Sequence, residues 1–468
     1  MRSLKANTLL RAAAFFALLL PSLPFAFLSA FAVPAYDDYG FAVTALRSGL
    51  VRTQTGWYRS ISGRYFSTAV LSLGPLTFGS FTGYKIVALL IVLLTFASSF
   101  FFITAALGAQ VALLNKLCMA ALVTSLFSNQ TPDVTEAYYW MPGSISYQLG
   151  CVLILFFFGL MIMSFRAPRG SARVLLLAAA AVSVFAAVGA SETSMIFLLF
   201  LVSAATAKAF ILGAESRTTW ALVLAFGALC ALVVFASPGN AARSACCPDR
   251  HRLLFSLQMS VAWGARFLSD WVTSPALLLS TILYLPVAGA LAERSDLARE
   301  HFYLHPLTSL SLLLGVVFLG FFPVYWATGM FYEYRTVNAA YLFFLVGWFV
   351  NVSVWVGYLK RKRRVKIPRL PARVYAVGLP VLSAVLMVSN NTRVACADLF
   401  TGRARRYEQE VSRRHALFER CVSRGAGDCP AEKIAEMPET TSNSYFELHP
   451  EAEQDYWRAR MKYPRLRL

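Results

Sequence analysis

Two adjacent carboxylates, Asp37 and Asp38, stand directly beyond the first long apolar run, in Pro34-Ala-Tyr-Asp37-Asp38-Tyr39. A carboxylate held beside another negative charge, or partly out of water, has its pKa raised toward neutrality and can act as a general base. Its neighbour can orient it, or the pair can hold a divalent cation (Mg or Mn) through oxygen, although nothing in the chain requires one. The same two residues also suit the start of a helix near Tyr39, whose dipole favours acids in its first turn. Six further acids, Asp133, Glu136, Glu192, Asp249, Asp270 and Glu333, fall on the same side of the apolar runs. Acids near hydrocarbon are costly and tend to be kept for function, so their collection on one side points to chemistry at that face.

Three arginines accompany them: Arg64 in Ser62-Gly63-Arg64-Tyr65, Arg243 in Ser237-Pro-Gly-Asn240-Ala-Ala-Arg243, and Arg335 in Glu333-Tyr334-Arg335-Thr336. A guanidinium fork suits phosphate, and a Pro-Gly turn followed by Asn can begin a helix whose free N–H groups face an anion. Trp57, and the run Glu136-Ala-Tyr138-Tyr139-Trp140, set aromatic faces beside a carboxylate, which suits the C–H face and hydroxyls of a sugar. Each has a plainer reading: an interfacial aromatic belt, an ordinary turn at Asn240, a Glu333–Arg335 ion pair, a helix start at Glu192. Asp249, Arg250, Arg252 and Asp270 read as solvated charges, as do Glu215, Glu293, Asp296 and Glu300 among basic residues on the opposite side.

The elements that must position these groups are membrane helices. Of 468 residues, 57% are hydrophobic and 14% charged, too few charges to coat soluble domains. Apolar runs fall at 10–33, 85–108, 113–129, 145–165, 174–190, 195–213, 219–236, 275–292, 307–324, 336–358 and 374–390. Each is long enough to cross ~30 Å of hydrocarbon at 1.5 Å per residue. The sequence therefore predicts an all-α polytopic membrane protein with about 11 transmembrane helices. Basic residues crowd the loops on one side, above all the Lys360–Arg373 stretch, so the positive-inside rule sets the N-terminus in the cytoplasm and the C-terminus outside it. That distribution accounts for the net charge of +19 through topology and contact with membrane lipid, without nucleic acid. Ala30-Phe31-Ala32 resembles a signal-peptidase site, but the apolar stretch before it exceeds a signal h-region, and an uncleaved first helix is expected.

The first external loop, 34–84, is long, and 39–52 and 57–73 each read as an amphipathic helix lying at the interface. Residues 391–468 hold 14 basic and 12 acidic residues, a sharp change of composition that predicts a small, mainly helical external tail with one helix over Arg403–Arg424. Cys421 and Cys429 lie there, and an oxidising compartment makes their disulfide plausible.

A membrane helix followed by an acidic pair at the start of a long external loop resembles the GT-C superfamily of glycosyltransferases. The wording Asp37-Asp38-Tyr39, Trp57 and Ser62-Gly63-Arg64-Tyr65 is similar to a bacterial polytopic subgroup related to lipopolysaccharide and teichoic-acid glucosyltransferases. Glu136 to Ser144, Ser191-Glu192, Ser237 to Arg243 and Glu333 to Thr336 fit the same subgroup, across residues 1–390. The resemblance implies a bacterial inner-membrane enzyme with a GT-C-like core and a site roofed by loops 34–84, 130–147, 237–274 and 325–338. It implies inverting transfer of one sugar from a polyprenyl-phosphate donor to a cell-envelope glycan or lipid acceptor. Asp38 or Asp37 would be the base, with Arg64, Arg243 and Arg335 at the donor phosphate. Trp57, Glu136, Tyr138, Trp140, Glu192, Asn240 and Glu333 would contact sugar or acceptor. An O-antigen polymerase or ligase using a polyprenyl-diphosphate glycan, a lipid or glycan transporter, and a docking protein whose tail is the binding element are the competing readings.

Overall fold

The computed structural model describes residues 2–466 except 246, 294–303, 331–333, 367–369, 426–428, 431–433, 435 and 443–449. Those residues form helices joined by short loops, with no strand among them. Nine helices are long and apolar enough to cross a membrane, or ten if the bent pair Ala372–Val388 and Asn390–Phe400, which meet at 66°, counts as one span. This all-α, multi-pass architecture follows from the apolar runs, because hydrocarbon obliges each backbone N–H and C=O to be bonded within its own helix.

The first span is Thr8–Phe31 (α1). Three short helices follow: Asp37–Ser48 (α2), Leu50–Ser60 (α3) and Tyr65–Ser72 (α4). Two amphipathic helices were expected at 39–52 and 57–73. Gly49, at φ 76°, breaks the first, and the turn at 61–64 begins the last. Phe81–Leu107 (α5) then returns across the bundle, and Leu113–Gln130 (α6) comes back. The span expected at 113–129 forms as this helix, but it does not qualify as a span by composition, because Lys116, Ser125, Ser128, Asn129 and Gln130 dilute its apolar content. It packs on α1 and α5, and Ser125 donates to the Leu18 carbonyl while Asn129 donates to the carbonyls of Leu386 and Ser389. The polar end of α6 thus serves neighbouring helices.

Beyond α6 the chain runs irregularly over 131–148, with π-helical turns at Thr135–Tyr139 and Ser144–Gln148 around a short α-turn. Residues 134–148 are buried throughout. Irregular backbone of this kind is tolerated at membrane depth only inside protein, and π-turns concentrate at functional sites. The remaining helices are Leu149–Arg166 (α7), Ser171–Ala190 (α8), Glu192–Ile211 (α9), Arg217–Phe235 (α10), Pro238–Ala245 (α11), Leu253–Val272 (α12), Pro275–Ala292 (α13), Pro306–Thr328 (α14), Tyr334–Arg363 (α15), Ala372–Val388 (α16) and Asn390–Phe400 (α17).

The tail adds Arg403–Ser423 (α18), within one residue of its expected extent, and Pro450–Lys462 (α19). Cys421 and Cys429 are disulfide-bonded. The tail shares its core with the rest of the chain: Ala395, Ala404, Tyr456 and Ala459 join the apolar cluster that includes Tyr39 and Leu76. α19 lies against α2, with Arg47 paired to Asp455 at 2.7 Å, Tyr456 donating to the Leu76 carbonyl at 3.0 Å, and Arg460 donating to the carbonyls of Thr77 and Phe78.

Candidate functional site

Asp37 and Asp38 occupy the first turn of α2, where the helix dipole favours acids. Tyr36, just before them, has a positive φ of 28°, a conformation that costs a side-chain-bearing residue energy and is found most often at functional sites. The Asp38 side chain is buried. Its Oδ2 accepts from the Ala35 N–H and from the Tyr84 hydroxyl, both at 2.9 Å. Burial pushes the Asp38 carboxyl well above the ordinary carboxylate range, the two hydrogen bonds pull against that, and Asp37 adds to it. Asp37 keeps partial exposure. The helix-start and reactive-carboxylate readings therefore coexist: the pair opens α2, and Asp38 is a desolvated acid.

Tyr84, at the start of α5, ties Asp38 to the irregular segment. Its hydroxyl also lies 2.9 Å from the Tyr139 carbonyl and accepts from the Met141 N–H at 3.4 Å. Trp140, between those two residues, has Arg335 over its ring at 5.3 Å. Asp133 belongs to the same segment and is held by α15, where Asn338 bonds both its N–H and its carbonyl. Burial raises the Asp133 carboxyl, against the N–H groups of Glu136 and Thr135 and the charge of Arg335.

The three arginines singled out in the sequence converge. Arg64 Nε donates to Glu192 Oε2 at 2.7 Å, and Arg243 Nη2 donates to Glu192 Oε1 at 3.2 Å. Arg64 Nη2 also donates to the Tyr147 hydroxyl at 3.0 Å. The Tyr147 ring lies 5.3 Å from the guanidinium groups of both Arg64 and Arg335. Glu192 reaches this position because Ser191 caps α9, accepting from the Ser194 N–H while Ser194 Oγ accepts from the Ser191 N–H. Glu192 is thus at once a helix-start residue and the acid shared by two guanidinium groups.

The motifs around Arg64 and Arg243 lock together. Asn240 Oδ1 accepts from the Gly63 N–H at 3.2 Å while its Nδ2 donates to the Val234 carbonyl at 2.8 Å, and Ser237 donates to the Tyr58 carbonyl. A Cβ on Gly63 would sit 2.3 Å from the Val234 carbonyl oxygen, and one on Gly239 2.5 Å from the Ile61 nitrogen. Only glycine permits that approach. α4 is fixed in turn on the end of α8, with Ser67 donating to the Ala190 carbonyl and Tyr65 to that of Phe185.

Other expected contacts fall elsewhere. Tyr138 is buried among Phe25, Phe127 and Tyr139 and bonded to Ser128 at 2.8 Å. Asn240 has its side chain engaged in the loop junction, so its place is in the scaffold. Trp57 stacks on Phe41 at 4.4 Å, which occupies one ring face. Glu136 is buried, its N–H bonded to Asp133. Glu333 lies outside the described residues. No group of three or more His, Cys, Asp or Glu side chains gathers among the described residues, and Asp38 Oδ2 is met by two donors. A crevice of about 10 Å³ lies beside Ala35, Tyr139 and Trp140. Tyr407, Thr441 and Ser442 of the tail line it, and Thr135 donates to the Thr440 carbonyl. Tyr84 and Tyr147, which join the parts of this region, carry no distinguishing sequence signal. A tyrosine near a span end looks like any interfacial aromatic.

Fold and site together define an all-α multi-pass membrane protein with a guanidinium-rich cluster and a buried carboxylic acid at one end of its bundle. No protein-family model matches the chain, and no curated protein does.

Proposed function

We propose that the chain is an integral-membrane glycosyltransferase that moves one sugar from a polyprenyl-phosphate donor to a cell-envelope acceptor. The observation that carries this reading is the convergence of Arg64, Arg243 and Arg335 around Glu192, Tyr147 and Trp140. A lipid phosphate needs positive charge at headgroup depth, and guanidinium groups supply it with directed N–H donors. In this reading the acceptor hydroxyl attacks the anomeric carbon as Asp38 takes its proton. The bond from that carbon to the phosphate oxygen breaks with inversion, and the arginines stabilise the departing polyprenyl phosphate. The basic end of the bundle faces the cytoplasm and the site faces outward, following the positive-inside rule. A polyprenyl-diphosphate glycan is the second reading, favoured by the number of arginines.

The test uses protein in nanodiscs with a panel of polyprenyl-phosphate sugars, following release of polyprenyl phosphate. Asp38→Asn is expected to lower release by about 10²–10⁴-fold, the usual contribution of a general base, with donor binding retained. Asp37→Asn is expected to do less. Absence of release by the wild type across the panel, with release from diphosphate glycans instead, would transfer the assignment to the second reading.

A further inference from the structure

At the opposite end of the bundle from Asp38 lies a cavity of about 250 Å³ between α5, α6, α13 and α15. Its walls are almost wholly apolar, including Phe102, Met119, Leu291 and Phe349. The polar pair Tyr284 and Ser353 on its wall is satisfied by a mutual 2.8 Å hydrogen bond, so the wall short of Arg361 offers a ligand mainly apolar contact. Along α15 the lining runs from Val346 to Arg361, roughly 22 Å of helix at 1.5 Å per residue. That exceeds half of the ~30 Å hydrocarbon core. A long, narrow apolar volume at this depth fits an aliphatic chain better than a compact ligand.

Its basic end fixes the headgroup. Arg361 lines the cavity where α15 terminates in Lys360-Arg361-Lys362-Arg363. Lys360 bonds Glu293 at 2.6 Å and the Gly289 carbonyl at 3.1 Å, which anchors α15 to α13, and Arg361 is the cation among the described residues that line the cavity. A guanidinium at the end of an apolar slot is complementary to a phosphate bearing a long chain, and basic clusters at membrane depth recognise anionic lipid.

We propose that this cavity holds one acyl chain of an anionic glycerophospholipid whose phosphate is bound by Arg361. The site is separate from the arginine cluster on Glu192 and does not depend on the transferase reading.

The experiment is native mass spectrometry of the full chain purified in mild detergent, followed by titration of the delipidated protein with phosphatidylglycerol, phosphatidylcholine or undecaprenyl phosphate. Wild type is expected to retain phosphatidylglycerol and to prefer it over phosphatidylcholine. Arg361→Gln is expected to bind phosphatidylglycerol about tenfold more weakly, the loss of one charge-assisted hydrogen bond. Val350→Trp, at a lining position that is 37% exposed, is expected to abolish retention by filling the slot, while Arg64→Gln leaves it unchanged. Equal binding of the neutral and anionic phospholipids, or unchanged retention in Val350→Trp, would overturn the proposal. Displacement of the retained phosphatidylglycerol by undecaprenyl phosphate in Arg64→Gln as readily as in wild type would overturn the choice of occupant.

Discussion

Two of the arginine–glutamate clusters at the Asp38 end are built differently. In one, Arg64 and Arg243 share the single carboxylate of Glu192, and Arg243 keeps 47% of its side chain exposed. In the other, inside the tail, Arg414 meets Glu453 at 2.6 Å and His415 meets it at 3.1 Å, with Glu453 only 1% exposed. His415 Nε2 also lies 2.7 Å from the Tyr39 hydroxyl, next in sequence to Asp38. The tail cluster pairs one cation with one acid and is sealed; it fixes α18 and α19 over α2. The first cluster has more guanidinium than carboxylate and reaches solvent, the arrangement expected where an anion arrives from outside.

Breaking each cluster should therefore have opposite consequences. Arg414→Ala leaves Glu453 buried without its cation and should cost about 3–5 kcal/mol of stability, read as a lowered unfolding temperature and early proteolysis of the tail. Arg243→Ala removes a partly exposed pair and should cost only about 0–1 kcal/mol, while weakening binding of polyprenyl phosphate. Gly63→Ala lies between them. Its Cβ would meet the Val234 carbonyl, and overpacking of this kind costs about 1–3 kcal/mol. Because the 61–64 turn positions Arg64, lipid-phosphate affinity should fall with it.

Tyr84→Phe sharpens the account on the Asp38 side. The Tyr84 hydroxyl lowers a carboxyl that burial raises, so its removal should shift the acidic limb of the rate profile to higher pH. An unmoved limb would separate Asp38 from the proton transfer.

A further effect concerns the pH dependence of the tail. Burial pushes Glu453 up to about 7 from 4.5, against the pull of Arg414. Its contribution is present below about 4.5 and is lost as pH rises to about 7, because the unfolded chain gives up the proton first. Burial, with Arg414 adding to it, pushes His415 down to about 3 from 6.5. Its contribution is present above about 6.5 and is lost as the pH falls, because the unfolded imidazole protonates first. The two slopes oppose one another over the shared window. Glu453→Gln should leave only acid-side loss, and His415→Gln only loss toward neutral pH. Thermal unfolding at a series of pH values checks both.

The membrane helices were legible in the sequence because hydropathy over some twenty residues is a local property. So were the α18 helix and the Cys421–Cys429 pair. At Leu113–Gln130 the helix forms where the apolar run stands, and the polar residues that dilute it are used on neighbouring helices. The candidate arginines could be named singly, but the meeting of Arg64 and Arg243 on Glu192 is a tertiary fact, made by a junction between Gly63 and Asn240 that no local window contains. Tyr138 reads like a sugar platform beside Trp140, and the π-turns around it carry it into the buried core. Nothing in the composition of the tail foretold that Tyr407, Thr441 and Ser442 would close over Ala35 and Trp140.

The most direct measurement is equilibrium binding of undecaprenyl phosphate to the full chain in nanodiscs, comparing wild type, Arg64→Gln and a tail variant, Arg414→Lys. The arginine cluster on Glu192 as the lipid-phosphate site predicts binding about tenfold weaker or worse in Arg64→Gln, one charge-assisted contact being worth that much, and near-wild-type binding in Arg414→Lys. Equal affinity of wild type and Arg64→Gln would contradict it.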